Sequence, residues 1–282
     1  VIAVTQLRVP VLMYHEIADL AESRSRLAVS PHAFAAQLDC LADAGFKTMT
    51  ARAASKVLTQ GDGELPERTI VLTFDDGYED FHSRAMPLLA QHGFTATLFL
   101  TSGWVQDVGA GSTRRRPGRM LSWAQVTETA LAEIEIAAHT RWHPQLDQLP
   151  EKLVWDELHA SKAWLEERLG VPVPGLAYPF GYSNATVRRV AGEIGYEYGF
   201  AVSNRMASTS SDLFALERLT VRRATTLDAF RQLIHGHDTK ELRQDRALTK
   251  GWAVVRRSRA ALNTVERSIR GSDTGASLRL GG

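Results

Sequence analysis

Two adjacent carboxylates and two histidines spaced four apart are the side chains of this sequence best suited to chemistry. Asp75 and Asp76 lie in TFDDGYED (73–80), at the end of an apolar run and directly before a glycine that lets the chain turn. Successive strand residues point to opposite sides, so such a pair can divide its tasks, one carboxylate binding a cation and the other accepting a proton. The same dipeptide also suits a turn with an Asp cap on the next helix. His139 and His143 occur in HTRWH, just after a second apolar run at 134–138. An i, i+4 spacing on one helical turn would bring the two imidazoles to one face, close enough to share an ion. One carboxylate and two histidines, with positions left open for water and substrate, suit a catalytic divalent metal. The single cysteine, Cys40, excludes an intrachain disulfide and any multi-cysteine zinc or iron–sulfur site.

These residues need strand ends to hold them. Apolar β-rich runs alternate with helical patterns over about 230 residues, which predicts an α/β architecture with a mainly parallel sheet or barrel. Strands are expected at 10–15, 68–74, 94–101, 134–138, 176–180, 198–202 and 216–221. Helices are expected at 31–44, 79–92, 122–132, 150–169, 184–194 and 226–235. Ser30 and Pro31 supply an N-cap and an N1 proline to the first helix, Phe34, Leu38 and Leu41 its apolar face, and Gly45 its stop. Ser122 and Ser183 are the expected caps of later helices. In α/β barrels the C-terminal strand edge is where sites are built, and DDG and HTRWH both fall there.

TFDDG, then HTRWH, then YPFG (178–181) resembles the polysaccharide deacetylases of the NodB-homology type, carbohydrate esterase family 4. The opening VPVLMYHEI, with PLLAQHGFTATLFL and MLSW (120–123), is similar to the YPFG-bearing branch. The resemblance runs from about residue 9 to 235. It implies a distorted (β/α)7 barrel and metal-dependent N- or O-deacetylation, with Asp75 as general base and Asp76, His139 and His143 holding one divalent ion, Zn2+ by default. By position in YPFG, the backbone N–H of Phe180 matches the donor that helps hold the oxyanion, and Tyr178 should lie along the groove. Many members carry an arginine before the third motif that orients the catalytic aspartate; here the segment is PGLAYPFG. Arg218 or Arg222 on LERLTVRR could supply that charge, and Arg218 is the favoured one. Many members also end in a Leu-x-His strand whose histidine is the general acid. LIH (233–235) offers His235, at the end of a predicted helix, and His15, at the end of the first strand, is the other candidate.

The leading expectation is a hydrolase that removes an acetyl or other small acyl group from an amino sugar or glycan. A tailoring deacetylase of a glycosylated small molecule or a nucleotide- or lipid-linked sugar, a same-fold hydrolase of a non-sugar amide, and a non-catalytic glycan-binding module compete with it. The last would be expected to have lost one of the four metal and base residues, and all four are present. The formal net charge of +1 hides a mildly acidic body, at −4 over residues 1–240, and a basic tail with nine Lys/Arg against four Asp/Glu from Glu241 to Gly282. A smooth acidic body gives no nucleic-acid footprint. The tail is expected to be a separate helical unit (241–282) with a disordered end at 271–282. Its basic helix 247–270 has an apolar stripe that suits the barrel, a second copy or an anionic membrane surface. Loop 103–119 carries Arg114, Arg115, Arg116 and Arg119 and should overhang the site, where guanidiniums would recognise a phosphate or carboxylate on the substrate. With no basic n-region and no run of eighteen apolar residues, the chain reads as cytoplasmic as written, or extracytoplasmic if a leader preceded Val1.

Overall fold

The computed structural model describes residues 7–60, 65–106, 118–237, 242–244 and 246–247. Arg114, Arg115 and Arg116, the tail helix beyond Ala247, and the Gly/Ser-rich end lie outside the described residues.

Eight parallel strands form a curled sheet. In chain order the elements are β1 (Arg8–Val9), β2 (Val11–Tyr14), α1 (Pro31–Asp43), β3 (Lys47–Met49), α2 (Ala51–Gln60), β4 (Thr69–Asp76), α3 (Met86–Gln91) and β5 (Thr97–Leu100). There follow α4 (Trp123–Leu131), β6 (Glu135–Ala138), α5 (Glu151–Leu169), β7 (Gly175–Ala177), α6 (Ala185–Ile194), β8 (Tyr198–Phe200), β9 (Ala207–Ser208), β10 (Leu219–Thr220) and α7 (Leu227–Ile234). The sheet order is β10-β2-β4-β5-β6-β7-β8. Its two edges meet on one segment: Leu219 and Thr220 pair with Leu12 and Met13, while Leu216 bridges to Phe200. β3 pairs with Thr69–Val71 and β5 with Thr73–Asp76, so both follow β4 in succession. β1 and β9 form a separate antiparallel pair.

Every residue of β4 is buried, as a parallel strand covered on both faces requires. Ile70, Leu72 and Phe74 join the outer layer under α1 and α3, with Phe34, Leu38 and Leu89. Val71 joins the inner cluster of Val11, Phe99, Ala137, Ala177 and Phe200. Ala51, Ala54 and Leu58 of α2 belong to that inner cluster too, so this helix plugs the barrel. The sequence pattern missed β3, three residues long with none fully buried, and α2, whose inner face is only two alanines and a leucine.

Ser30 accepts the Ala33 N–H at α1, and Ser122 forms a capping box with Gln125 at α4. The cap of α6 is Asn184, one residue later than expected; Ser183 instead takes a hydrogen bond from Arg188. The helix expected at 79–92 is broken, with a π-helical stretch Phe81–Ala85 before α3. Pro87 lies at that junction and has no N–H to give the Ser83 carbonyl, which favours the wider turn. No described helix is long and apolar enough to cross a membrane.

Candidate metal and catalytic site

A pocket of about 360 Å³ opens where the strands end. Asp75 continues the inward parity of Val71 and Thr73. In a regular strand Asp76 would face the outer layer, but its backbone is left-handed, with φ 76°, and the chain turns at Gly77. Both carboxylates consequently line the same pocket. A Cβ on Gly77 would come 2.3 Å from Leu100 Cδ1, so the turn needs glycine for space as well as for its φ of 89°.

His139 and His143 reach the site from a loop. The expected helical turn is absent: both residues fall outside any helix, and Thr140 (φ 64°) and His143 (φ 58°) are left-handed. The spacing is the same, but the path is set from outside. Thr140 Oγ1 accepts the His143 N–H at 3.0 Å, and Glu157 of α5 accepts the N–H groups of Arg141 and Trp142 at 3.1 and 2.8 Å. Gly103 packs so closely on this loop that a Cβ there would lie 2.4 Å from the Arg141 carbonyl oxygen. His139 Nδ1 lies 2.8 Å from the Ala177 carbonyl, which makes Nδ1 the protonated nitrogen and turns Nε2 inward as an acceptor.

Asp76 Oδ1 is buried without a hydrogen-bond donor. It faces His139 Nε2 at 3.4 Å and His143 Nε2 at 3.3 Å, and the three ligand atoms lie within 4.8 Å of one another. Ligands bound about 2.0–2.2 Å from a tetrahedral ion sit about 3.3–3.6 Å apart. An orphaned carboxylate oxygen facing two imidazole nitrogens at those spacings fits a divalent metal. Burial opposes the charge on Asp76, but the surrounding imidazoles hold its pKa far below the usual range. Burial, helped by His139, lowers His143 to about 4, so its imidazole is neutral and can ligate at neutral pH.

Asp75 has a different partner. Arg218 is fully buried and grips the carboxylate in a fork, Nη1 to Oδ1 at 2.6 Å and Nη2 to Oδ2 at 2.8 Å. Nη1 also reaches Thr73 Oγ1 at 3.3 Å and Nε the Ala201 carbonyl at 3.3 Å, while the guanidinium lies over the Phe99 ring. Burial would raise the pKa of Asp75; Arg218, with His139 and His15, more than offsets it and holds the carboxylate ionised. The two aspartates are thus distinguished by their surroundings, one facing imidazoles and the other locked to an arginine.

The other expected residues divide. His15 lines the pocket, and its buried Nδ1 has no hydrogen-bond partner. His235 does not reach the site. It caps α7, is exposed, and lies tilted against Phe46 with ring centroids 5.8 Å apart, because α7 ends under α1 instead of continuing a strand. Arg222 also lines the pocket. Tyr178 does not lie along the groove: it is fully buried in the outer layer, since Ala177 points inward and the next side chain must point out. Phe180 stands at the mouth, half exposed, with a left-handed φ of 60°. Its N–H is not used by the surrounding turn, whose hydrogen bonds run from Gly181 to Tyr178 and from Tyr182 to Pro179. Sequence reasoning missed Tyr182, Asn204 and Tyr78, which also line the pocket, and Trp104, whose ring packs on His143 at 5.1 Å. Trp104 follows the end of β5, a strand-end position that could have flagged it. Glu157, inside a helix, carries no such signal.

The polysaccharide deacetylase family profile matches residues 62–199. YxkH of Bacillus subtilis (strain 168), itself named for that family, is 30% identical over 223 residues, covering 79% of this chain and 75% of its own length. The chain belongs to the polysaccharide deacetylase family. Among curated relatives is the poly-β-1,6-N-acetyl-D-glucosamine N-deacetylase of Escherichia coli (strain K12), 24% identical over 257 residues, of whose length this deacetylase-family chain spans 38%. Among solved structures, the Streptococcus pyogenes deacetylase PplD in complex with acetate superposes with a TM-score of 0.73 at 26% identity, covering 82% of this chain and 99% of that one. IcaB from Ammonifex degensii gives 0.67 at 27% identity, over 81% and 96%. These likenesses agree with the NodB-type fold expected from the motifs.

Proposed function

We propose that this chain is a metal-dependent hydrolase that removes the N-acetyl group from an amino sugar within a glycan. The observation that carries the reading is the pairing, in one pocket, of an arginine-locked carboxylate with a separate Asp76/His139/His143 group able to hold a metal ion. Relatives named as N-deacetylases of poly-β-1,6-N-acetyl-D-glucosamine support the substrate class.

Asp76, His139 and His143 would hold the ion, for which Zn2+ is the expected occupant on donor type. When bound, a divalent ion supplies a polarising charge for the acetyl carbonyl and lowers the pKa of water to about 7. Asp75 takes the proton of the attacking water, and Arg218 fixes the orientation of its carboxylate through the fork. The Phe180 N–H, free of its own turn, donates to the oxygen that becomes negative as the carbonyl is attacked. His15, on the same strand edge as Asp75, gives a proton to the departing amine. Tyr182 and Phe180, stacked with ring centroids 6.3 Å apart, form an apolar lip against which a sugar ring can rest.

Acetate release tests the reading, with β-1,6-linked N-acetylglucosamine oligomers, chitin oligomers and peptidoglycan fragments, with and without added metal. Release from a glycan that chelation abolishes and Zn2+ restores is the expected result. Activity confined to non-sugar amides would replace it with the same-fold amide hydrolase, and metal-loaded protein inert on every substrate would refute it.

A further inference from the structure

The barrel closes at a seam where the strand ladder runs out. Leu216 gives its N–H to the Gly199 carbonyl and takes the Ala201 N–H, but among the described residues β10 itself pairs with β2 alone. In a continued parallel ladder the next acceptor along the β8 edge, the Ala201 carbonyl, would go to the backbone of Arg218. Here the Arg218 side chain takes it, with Nε 3.3 Å from the oxygen. Asn204 closes the gap. Its N–H donates to the Arg218 carbonyl at 3.0 Å, and its side-chain Oδ1 accepts the Thr220 N–H at 3.0 Å, so one residue clasps the strand on both sides of Leu219. Asn204 is buried and left-handed, with φ 54°, a conformation that asparagine tolerates better than most residues.

We propose that Asn204 is a positioning residue: by clasping β10 it sets the place of Arg218, and through the fork the orientation of the Asp75 carboxylate. The proposal rests on the reading of Asp75 as the base. Leu219 is level with Leu12 and so with Leu72, below Asp75 in the barrel. The Arg218 side chain therefore runs up the inside of the barrel to reach its fork. A slip of β10 would be carried to the far end of that side chain, where two nitrogens must meet two oxygens in one plane. The charge would stay nearby, but the carboxylate would lose its fixed direction. The bonds from Asn204 go to the backbone at Arg218 and Thr220 and none goes to Asp75, so its effect passes through Arg218.

Two measurements test this, and one needs no substrate. The buried Arg218 Nε–H should give a protected signal in proton–nitrogen correlation NMR that is missing in Arg218→Met. Asn204→Gly keeps a residue at ease in the left-handed region and removes the side-chain clasp. It should shift that signal and speed its hydrogen exchange roughly tenfold, whereas Asn204→Asp, with an acceptor at the same reach, should leave it near the parent's. In acetate release from N-acetylglucosamine oligomers, Asn204→Gly should lower kcat by about 10–100-fold, the scale of a misplaced group, with KM and metal content nearly unchanged. In the Arg218→Met background the same substitution should cost about twofold at most, because the residue through which it acts is gone. If the glycine variant does not fold, Asn204→Ser, whose hydroxyl is one atom too short to span to the Thr220 N–H, takes its place with the same expectations. An unchanged Nε–H signal in the folded variant overturns the proposal whatever the activity. So does a kcat loss that persists undiminished in Arg218→Met, or a loss confined to KM, which would make Asn204 a substrate contact. A shifted signal beside a metal-loaded parent inert on every glycan supports the positioning and refutes the deacetylase reading.

Discussion

Replacing Arg218 with methionine isolates what the buried guanidinium does for Asp75. The two groups meet in a fork at 2.6 and 2.8 Å with neither side chain appreciably exposed. Charge centres about 4 Å apart at an effective dielectric near 20 interact by about 4 kcal/mol, an interaction that favours the ionised carboxylate of Asp75. The sign follows from which state the arginine favours. With Arg218 present the folded pKa of Asp75 is depressed, so the pair stabilises the fold above the unfolded carboxylate pKa, and that stability is lost as pH falls through the folded value. Without it, burial is opposed only by His139 and His15, and the folded pKa rises. Arg218→Met should therefore move the acid limb of kcat/KM to higher pH. It should also lower stability at pH 7 by about 3–5 kcal/mol, the cost of leaving a buried charge unpaired. Asp75→Asn/Arg218→Met separates this from general damage: with no charge to strand, the methionine should cost much less in that background. Metal content, measured on each variant, should stay the same. An acid limb that does not move in a folded, metal-loaded Arg218→Met protein would refute the reasoning.

Asp76→Ala, His139→Ala and His143→Ala should each lose bound metal and activity together, whereas Asp75→Asn keeps metal and loses turnover; elemental analysis beside the acetate assay checks both. His15→Gln should lose amide hydrolysis by about 10²–10⁴-fold, the usual worth of a general acid, yet spare an aryl acetate whose leaving group needs no proton. Glu157→Gln weakens the anchor of the His139–His143 loop and should lower metal affinity by about 10–100-fold, as changes behind metal ligands do, read by competition with a chelating dye. Asp80, half-buried near Glu16 and Glu79, has a pKa raised to about 6, first by its partial burial and then by those carboxylates, while accepting the Ile17 N–H. Its charge therefore costs stability increasingly between about pH 4 and 6. Asp80→Asn should stabilise the protein by about 1–3 kcal/mol at pH 7 and by almost nothing at pH 4, measured by denaturant melts.

Much of this arrangement is legible in the sequence where one force dominates locally. Apolar runs ending in DDG and HTRWH mark the strand ends, and Ser30 and Ser122 cap their helices. Strand parity carries further than composition does. Leu216 packs in the inner cluster, and Arg218, two residues on, shares its side of the strand, where an arginine needs a buried carboxylate. The same parity sends Tyr178 outward next to inward Ala177, against the expectation drawn from family resemblance. What stays hidden depends on distant partners. An i, i+4 pair of histidines reads alike whether it sits on a helical turn or, as here, on a loop held by a glutamate from the following helix. His235 follows the expected three-letter pattern, but α7 carries it to Phe46.

The backbone explains why so much support comes from behind the site. Asp76, Thr140, His143, Phe180 and Asn204 all adopt left-handed conformations, with φ between 54° and 76°, and such residues cost roughly 1–2 kcal/mol each. Five of them amount to a large fraction of the roughly 5–15 kcal/mol by which a domain is stable. Only two other non-glycine residues among those described share this feature, Arg68 and Glu133, so the strain is concentrated where the strands end. It is held in place by contacts that do not touch substrate: Glu157 and Thr140 Oγ1 on the histidine loop, the Arg218 carbonyl on the Asn204 N–H, and Gly103 pressed against Arg141. Gly103→Ala tests that division of labour. The added methyl group can be accommodated only by moving the loop, so metal affinity should fall while the outer layer, and with it most of the stability, is kept. If Gly103→Ala binds metal as tightly as the parent, the loop is not held from that side and the strain is balanced elsewhere.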